Sequence, residues 1–289
     1  MEQAEARPRL DAVVIAYRSP ELLRRCLQSL RTHPPAGGVR TVIVDNAADA
    51  GTRALVTDDF PECRYLESGS NVGFGVAANA GAASGSAPYL AILNPDVAVR
   101  PATLDRLIAV LEQGPRVGCV GPALHREDGS FDHAARRSFP TPVSAFGHFS
   151  GMGRRLGGGA LADYRAPWVE RGATDAINGA FMVLRREAFE SIGGFDPGYW
   201  MYMEDLDLNW RLREAGWETH YEPAARALHT KAGTTGGKRT ARLEIYFHRG
   251  MGRFYRAHYA GRRGAVYDLG IYLGIGVKLL VSLARRRLS

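Results

Sequence analysis

The densest group of chemically capable side chains in this 289-residue sequence is Tyr199-Trp200-Met201-Tyr202-Met203-Glu204-Asp205-Leu206-Asp207. Three carboxylates within four residues repel one another, and a helix N-terminus offsets only part of that cost. A general base is one reason to hold them there. On a helix the three point in different directions, so at most one or two can face a shared pocket. First-turn acids on a solvated helix would account for the carboxylates alone. The aromatics are a further signal: Trp200 and Tyr202 beside a carboxylate make a flat apolar platform with a proton acceptor, which suits a sugar ring. A second group is Tyr17, Asp45, Asn94 and Asp96, where a carboxylate can accept from a ribose hydroxyl or a base N–H and a proline-braced Asp96 can reach a hard divalent cation. Asp and Asn are also common turn formers, so each alone is weak. A third is His229 with Lys231, in a glycine- and threonine-rich stretch from Leu228 to Gly237 that reads as a flexible loop. Neutral imidazole can ligate a metal, and a lysine with backbone N–H groups suits phosphate. The plain alternative is an exposed loop histidine.

The elements that must position these groups follow from apolar periodicity. Leu10 to Ala16 is a β-branched run, followed by a Ser19-capped turn and a segment with Leu22, Leu23, Cys26, Leu27 and Leu30 at helical spacing. Val39 to Asp45 predicts a second buried strand, with a helix near Thr52 to Asp58. An edge strand is expected at Arg64 to Glu67, an Ala/Gly-rich helix at Val76 to Ser84, and a further strand at Tyr89 to Leu93. Alternating β and α elements with wholly apolar strands predict a parallel sheet covered on both faces. In such a sheet ligands bind beyond the strand C-termini, where Tyr17, Asp45, Asn94 and Asp96 fall. Further on, Val117 to Pro122 reads as a strand, Phe139 to Ala166 as a long mobile loop and Ala176 to Leu184 as one strand. Arg186 to Ile192 and Glu204 to Ala215 read as helices, the second ending at Gly216.

Composition and missing motifs narrow the function. No G-x-G-x-x-G follows the first strand and no P-loop is present, so neither dinucleotide nor P-loop chemistry is expected. Three cysteines without a C-x-x-C pair give no zinc or disulfide framework, which makes a reduced cytosolic setting the default, and the first ten residues show no export signal. No apolar run reaches the ~20 residues of a spanning helix, which excludes a polytopic membrane protein. From 1 to 237 the chain carries 25 Lys/Arg against 28 Asp/Glu, net −3; from 238 to 289 it carries 12 against 2, net +10, giving the overall +7. A nucleic-acid-binding protein would need a basic body as well as a basic arm, so no nucleic-acid partner is expected.

Taken together, the segments VVIAYRSPELLRRCLQSL, TVIVDNAADAGT, NVGFGVAANAG, LAILNPDVAV, VGCVGP, NGAFMVLRREAFESIGGFDPGYWMYMEDLDLNWRLREAGW and LHTKAGTTG, in order from Val13 to about Gly237, resemble the family 2 glycosyltransferases. These are inverting enzymes of the α/β GT-A fold, and within them the chain looks closest to bacterial rhamnosyltransferases of lipid-linked cell-wall glycan assembly. The resemblance implies a mainly parallel central sheet flanked by helices, with a catalytic domain over 1–237. Its nucleotide half would span about 10–100 and its acceptor half about 101–237. It implies transfer of a sugar, dTDP-rhamnose being the favoured donor and UDP- or GDP-linked sugars the alternatives, to a polyprenyl-diphosphate-linked or polysaccharide acceptor. By position, Tyr17, Asp45, Asn71 and Gly73 would line the nucleotide, with Lys231 at its diphosphate. Asn94-Pro95-Asp96 stands at the family's D-x-D motif, with Asn94 replacing the first acid. Metal binding (Mg²⁺ or Mn²⁺) therefore leans on Asp96 with His229, and a non-catalytic sugar-nucleotide binder is the rival that this departure suggests. Asp205 matches the catalytic base, with Glu204 the nearby alternative. Asn178 and Gly179 would border the sugar pocket, and Trp200 and Tyr202 would face the acceptor.

Residues 238–289 form the basic tail. On a helical wheel Leu243, Tyr246, Phe247, Met251, Phe254 and Tyr255 fall opposite Arg242, Arg249, Arg253 and Arg256, an amphipathic basic helix whose apolar face could meet lipid or pack on the domain. Val266 to Leu283 is apolar but broken by Asp268, Lys278 and three glycines, then closed by Arg285-Arg286-Arg287; this favours an interfacial helix over a spanning one. The expected place is the cytoplasmic face of the cell membrane, docked on anionic lipid. A homodimer is compatible with the sequence and nothing in it requires one.

Overall fold

The computed structural model describes residues 7–140, 171–230 and 240–287. The first half alternates as β1 (Leu10–Ala16), α1 (Pro20–Thr32), β2 (Val39–Asp45), α2 (Ala50–Asp59), β3 (Arg64–Glu67), α3 (Phe74–Ala83) and β4 (Tyr89–Leu93). The four strands pair in parallel in the order β3-β2-β1-β4, with β3 at the edge as expected. Every residue of β1 and β4 is buried because the sheet is covered on both faces. Alternate β1 residues feed two separate cores: Leu10, Ala12, Val14 and Ala16 pack with Leu23, Leu27 and Leu30 of α1, while Val13 and Ile15 pack with Ala77, Ala78 and Ala82 of α3. The small residues of α3 let it lie close to the sheet; a Cβ on Gly81 would come within 2.3 Å of Val13 Cγ1.

The second half runs β5 (Val97–Val99), α4 (Thr103–Gln113), β6 (Val117–His125), a 3₁₀ turn at His133–Ala135, β7 (Arg136–Arg137), β8 (Gly172–Ala173), β9 (Ala176–Ile177), β10 (Phe181–Arg185), α5 (Arg186–Ser191), α6 (Glu204–Glu214) and β11 (Glu218–His229). It extends the sheet through β10, antiparallel to β4 and β6, then β11, parallel to β6 and antiparallel to β5, with β8 on β11. The central sheet is therefore mixed, with parallel pairing among β1–β4 and between β6 and β11 and antiparallel pairing where β10, β5 and β8 join. β7 and β9 form a separate two-stranded ribbon.

Four local expectations change. Ser19 holds the N-cap position of α1, but its buried hydroxyl makes no capping bond; Pro20 at the first turn, which has no N–H to cap, starts the helix instead. The apolar run from Ala176 to Leu184 is broken by a turn at Asn178-Gly179 that separates β9 from β10. His229 is the buried last residue of β11 rather than part of a flexible loop. The helix α4 is an addition to the expected elements, although Leu104, Leu107, Ile108 and Leu111 recur at helical spacing and are all buried.

The basic C-terminal segment contains two helices with different surroundings. α7 (Ala241–His258) lies on the catalytic half, with Phe254 buried among Tyr199, Met203, Leu206 and Trp210. Two of its four arginines are engaged with the protein: Arg253 makes two 2.9 Å hydrogen bonds to Asp196, and Arg242 lies 5.0 Å over the Trp200 ring, while Arg249 and Arg256 are exposed. α8 (Ala265–Arg287) is a continuous helix whose apolar stretch Ala265–Arg286 is long enough to cross a membrane, and none of its most apolar window is buried. Among the described residues, all the large exposed hydrophobics except Ile245 lie on α8.

Candidate active site

Strand register places Tyr17, Asp45 and Asn94 of the second group along one sheet edge. Asp45 sits opposite Ala16 at the C-terminal ends of β2 and β1, Tyr17 is the next residue after β1, and Asn94 follows the end of β4, the other neighbour of β1. Asp45 is fully buried, and its carboxylate accepts from the N–H groups of Ala47 and Asp49 and from the Tyr65 hydroxyl. It shapes the loop after β2 by satisfying donors that would otherwise be orphaned. Tyr17 is half-buried, with the Arg18 guanidinium 5.4 Å from its ring centre. The neighbouring Asn46, which the motifs do not single out, organises the edge. Its Oδ1 accepts from Val72 N–H and the Ser68 hydroxyl, and its Nδ2 donates to Asn71 Oδ1 and to the Gly73 carbonyl. An asparagine just after a buried strand is the one sequence signal that points to it.

Asn71 and Gly73 join this edge to the aromatic segment. Trp200 Nε1 donates to the Asn71 carbonyl at 3.2 Å, and Phe74 N–H donates to the Trp200 carbonyl at 3.0 Å. Gly73 has φ +91°, and a Cβ there would come within 2.4 Å of the Trp200 carbonyl oxygen, so glycine is required twice over. Trp200 itself stacks on Tyr246 of α7 at 4.3 Å, which covers one face of the indole, and Tyr202 meets the Phe247 ring edge at 5.8 Å.

The carboxylates are not on a solvated helix. Glu204, Asp205 and Asp207 are 7%, 6% and 2% exposed. α6 starts from two consecutive non-glycine residues in the left-handed region, Tyr202 at φ +70° and Met203 at φ +73°, an arrangement that only a surrounding packed structure maintains. Gly250 of α7 supplies part of that packing, since a Cβ there would come within 3.0 Å of the Tyr202 carbonyl. Asp207 faces away from the cleft edge, bonded to His258 of α7 at 2.8 Å, Arg211 at 2.7 Å and the Tyr199 hydroxyl at 3.2 Å. Against the opposing effect of burial, His258 and Arg211 hold its carboxyl below the ordinary range. The charge at Asp207 is structural.

Asp205 faces the other way. Its Oδ2 accepts from Gly179 N–H at 2.9 Å and pairs with Arg137, while Oδ1 accepts from Leu206 N–H at 2.8 Å. Beside it, burial and then the Asp205 charge push the Glu204 carboxyl up to about 8, and Glu204 Oε2 has no hydrogen-bond partner among the described residues. The Asn178-Gly179 turn reaches back to the sheet edge, because the Ala180 carbonyl accepts from Asn94 N–H at 2.8 Å and Asn178 Oδ1 accepts from Ala180 N–H at 2.7 Å. Asn94, Asn178, Gly179 and Asp205 thus belong to one connected set.

Asp96 is brought together with His229. β11 runs beside β5 so that His229 pairs with Val97, leaving His229 Nε2 3.5 Å from Asp96 Oδ1. Asp132, which carries no local sequence signal, meets His229 Nδ1 through its Oδ2 at 3.0 Å and accepts from Ala134 N–H through its Oδ1 at 3.0 Å. This fixes the imidazole, and a carboxylate behind a histidine is a common support for a metal ligand. A carboxylate oxygen and an imidazole nitrogen fit Mn²⁺ or Mg²⁺ with the remaining positions left to phosphate and water. Among the described residues no set of three or more His, Cys, Asp or Glu side chains is close enough to hold an ion alone. Lys231 lies outside the described residues.

A profile for Glycosyl transferase family 2 matches residues 11–193, from β1 past α5, and one described as N-terminal domain of galactosyltransferase matches 164–232. The chain belongs to glycosyl transferase family 2. This family 2 glycosyltransferase is 34% identical over 247 residues, 78% of each chain, to an N-acetylglucosaminyl-diphospho-decaprenol L-rhamnosyltransferase of Mycobacterium tuberculosis. Its fold is that of a mannosyltransferase from Pyrobaculum calidifontis solved with GDP-Man and Mn²⁺ (TM-score 0.60, 15% identity, covering 99% of this chain and 76% of that one). It is also that of GalNAc-T7 solved with UDP, GalNAc and Mn²⁺ (TM-score 0.61, 16% identity, 92% and 55%). The GT-A fold expected from the motifs is the fold observed.

Proposed function

We propose that this glycosyltransferase moves L-rhamnose from dTDP-rhamnose to a hydroxyl of a polyprenyl-diphosphate-linked sugar in envelope glycan synthesis, with inversion and with Asp205 as general base. The observation that carries this reading is the buried Asp205, tied through Gly179 and Ala180 to the Asn94-Asp96 turn at the sheet edge where GT-A enzymes hold the donor. The acceptor oxygen forms a bond to the anomeric carbon as the bond to the diphosphate oxygen breaks. The acceptor proton passes to Asp205, and the nucleoside diphosphate leaves with the electron pair. Tyr17, Asp45, Asn71 and Gly73 would shape the nucleotide site, and Lys231 would meet the diphosphate. Asn178, Gly179, Trp200 and Tyr202 would border the sugars. Asp96 and His229 would hold a divalent cation, which neutralises charge on a leaving diphosphate when bound. The mycobacterial relative's named substrate supports the choice of sugar and of lipid-linked acceptor.

The decisive assay offers the purified chain dTDP-rhamnose, UDP- and GDP-linked hexoses and N-acetylglucosaminyl-diphospho-polyprenol, with product read by mass spectrometry. Rhamnosylated lipid from the first donor alone is expected; turnover confined to a UDP or GDP sugar overturns the donor assignment.

We further propose that α8 docks the enzyme on the anionic cytoplasmic membrane face, where such an acceptor resides. Its apolar surface is uncovered, and arginines stand at both ends: Arg262 and Arg263 before it, Arg285 and Arg286 in its last turn. Truncation after Gly264 should leave the protein in the supernatant when vesicles containing phosphatidylglycerol are sedimented, whereas the full chain pellets. Equal sedimentation of both would remove α8 from this role.

A further inference from the structure

Two adjacent buried carboxylates cannot both carry full charge without large cost. Which of the two keeps the charge decides whether a base is present at the site. The pair is not symmetric. Asp205 receives two backbone N–H groups and a guanidinium, whereas Glu204 Oε2 receives nothing among the described residues. The guanidinium is that of Arg137, carried by the short ribbon in which Arg137 pairs with Ala176 and Arg136 with Ile177. The same ribbon leads into the Asn178-Gly179 turn, whose N–H bonds Asp205, and Asn178 N–H donates to the Ala135 carbonyl one residue before β7. The ion pair is largely withdrawn from water, its side chains 17% and 9% exposed.

We propose that Arg137 is a positioning residue that places the negative charge of the Glu204–Asp205 pair on Asp205 and the proton on Glu204, keeping the base ready for the acceptor hydroxyl. Among the described residues, three basic side chains of the surrounding helices face other carboxylates. On α6, Arg211 is bonded to Asp207; on α7, His258 is bonded to Asp207 and Arg253 to Asp196; and β11 meets α6 through the neutral Thr219–Asn209 hydrogen bond. The upward push on Glu204, which Arg137 opposes only in part, agrees with that distribution of charge.

The inference rests on Asp205 being the base, and the test separates the two. The acid limb of the pH profile of kcat/KM for the acceptor is measured for the full chain, Arg137→Met and Arg137→Lys, together with nucleoside diphosphate affinity and melting temperature. In Arg137→Met the limb should move up by about 1 pH unit. Activity below the limb then falls ~10-fold while activity on the alkaline plateau and nucleotide affinity stay near those of the wild type, and Arg137→Lys brings the limb back. An unmoved limb in a folded Arg137→Met overturns the proposal, as does a weakened nucleotide affinity with no movement of the limb, which would make Arg137 a phosphate contact. If Asp205→Asn keeps normal turnover, the base reading itself fails.

Discussion

Asp205→Asn should lower kcat by about 10²–10⁴-fold, the range that a positioned general base contributes, with nucleoside diphosphate affinity nearly unchanged. The substitution is close to isosteric. Asparagine Oδ1 can still accept from Gly179 N–H, so the turn that also holds Asn94 is not released. The arginine opposite is not lost either, but it is left without its counter-charge in a site that excludes most water. Kinetics and calorimetry on the same preparation distinguish the outcomes. A lost kcat with intact binding assigns Asp205 to the chemical step. Lost binding would instead place it in the scaffold of the donor site. Near-normal turnover would pass the role to Glu204, whose raised protonation makes it a poor base at neutral pH.

The second large effect is on stability and arises far from the acceptor. Asp11→Ala should cost about 3–5 kcal/mol, the penalty for removing one partner of a buried ion pair and stranding the other, and lower Tm by roughly 10 °C. Asp11 lies on β1 with no exposure. Its Oδ1 takes Arg40 Nε at 2.8 Å, and its Oδ2 takes Arg186 Nη2 at 2.6 Å and Ala87 N–H at 2.8 Å. The Arg40 side chain is 33% exposed and can rehydrate; that of Arg186 is 12% exposed and cannot do so readily. Arg186 begins α5 and also bonds the Ala82 and Ala87 carbonyls, so Asp11 links the first half of the fold to the second through one side chain. Calorimetric melting of Asp11→Ala and Asp11→Asn checks this. A loss below about 1 kcal/mol would mean that the arginines find other partners, as exposed pairs do.

The first half is legible because each of its central strands is buried on both faces and therefore apolar, which sets its ends at the first polar residue; the expected limits of β1, β2, β3 and β4 are those observed. The second half is harder to read for a physical reason. β11 mixes buried with half-exposed and exposed residues and carries Glu222 and Arg226 within it, so no apolar run marks it. The Asn178-Gly179 turn is hidden inside an apolar stretch because its polar groups are satisfied by Ala135, Ala180 and Asp205 and need no solvent. Site residues on strand ends and at the start of α6 can be found from type and position. Arg137 and Asp132 cannot, since each acts on a residue 68 or 97 positions away. The helical wheel of α7 identifies its amphipathic character, but a wheel does not say whether protein or lipid covers the apolar face.

The grip of α7 on the catalytic helix bears on how this protein can be recombined. Any chimera that keeps α6 must carry residues through about 260, because a junction at 237 would uncover Trp210 and leave Asp207 without His258. A junction at Gly264, an exposed glycine at φ +88° with open space where a Cβ would stand, separates α8 from the rest and gives up the bonds of Asp268 to the Tyr255 hydroxyl and Gly261 N–H and the Tyr255–Tyr272 ring contact. On the docking role proposed for α8, the segment beyond that glycine is then an exchangeable module through which the surface on which the enzyme works can be redesigned.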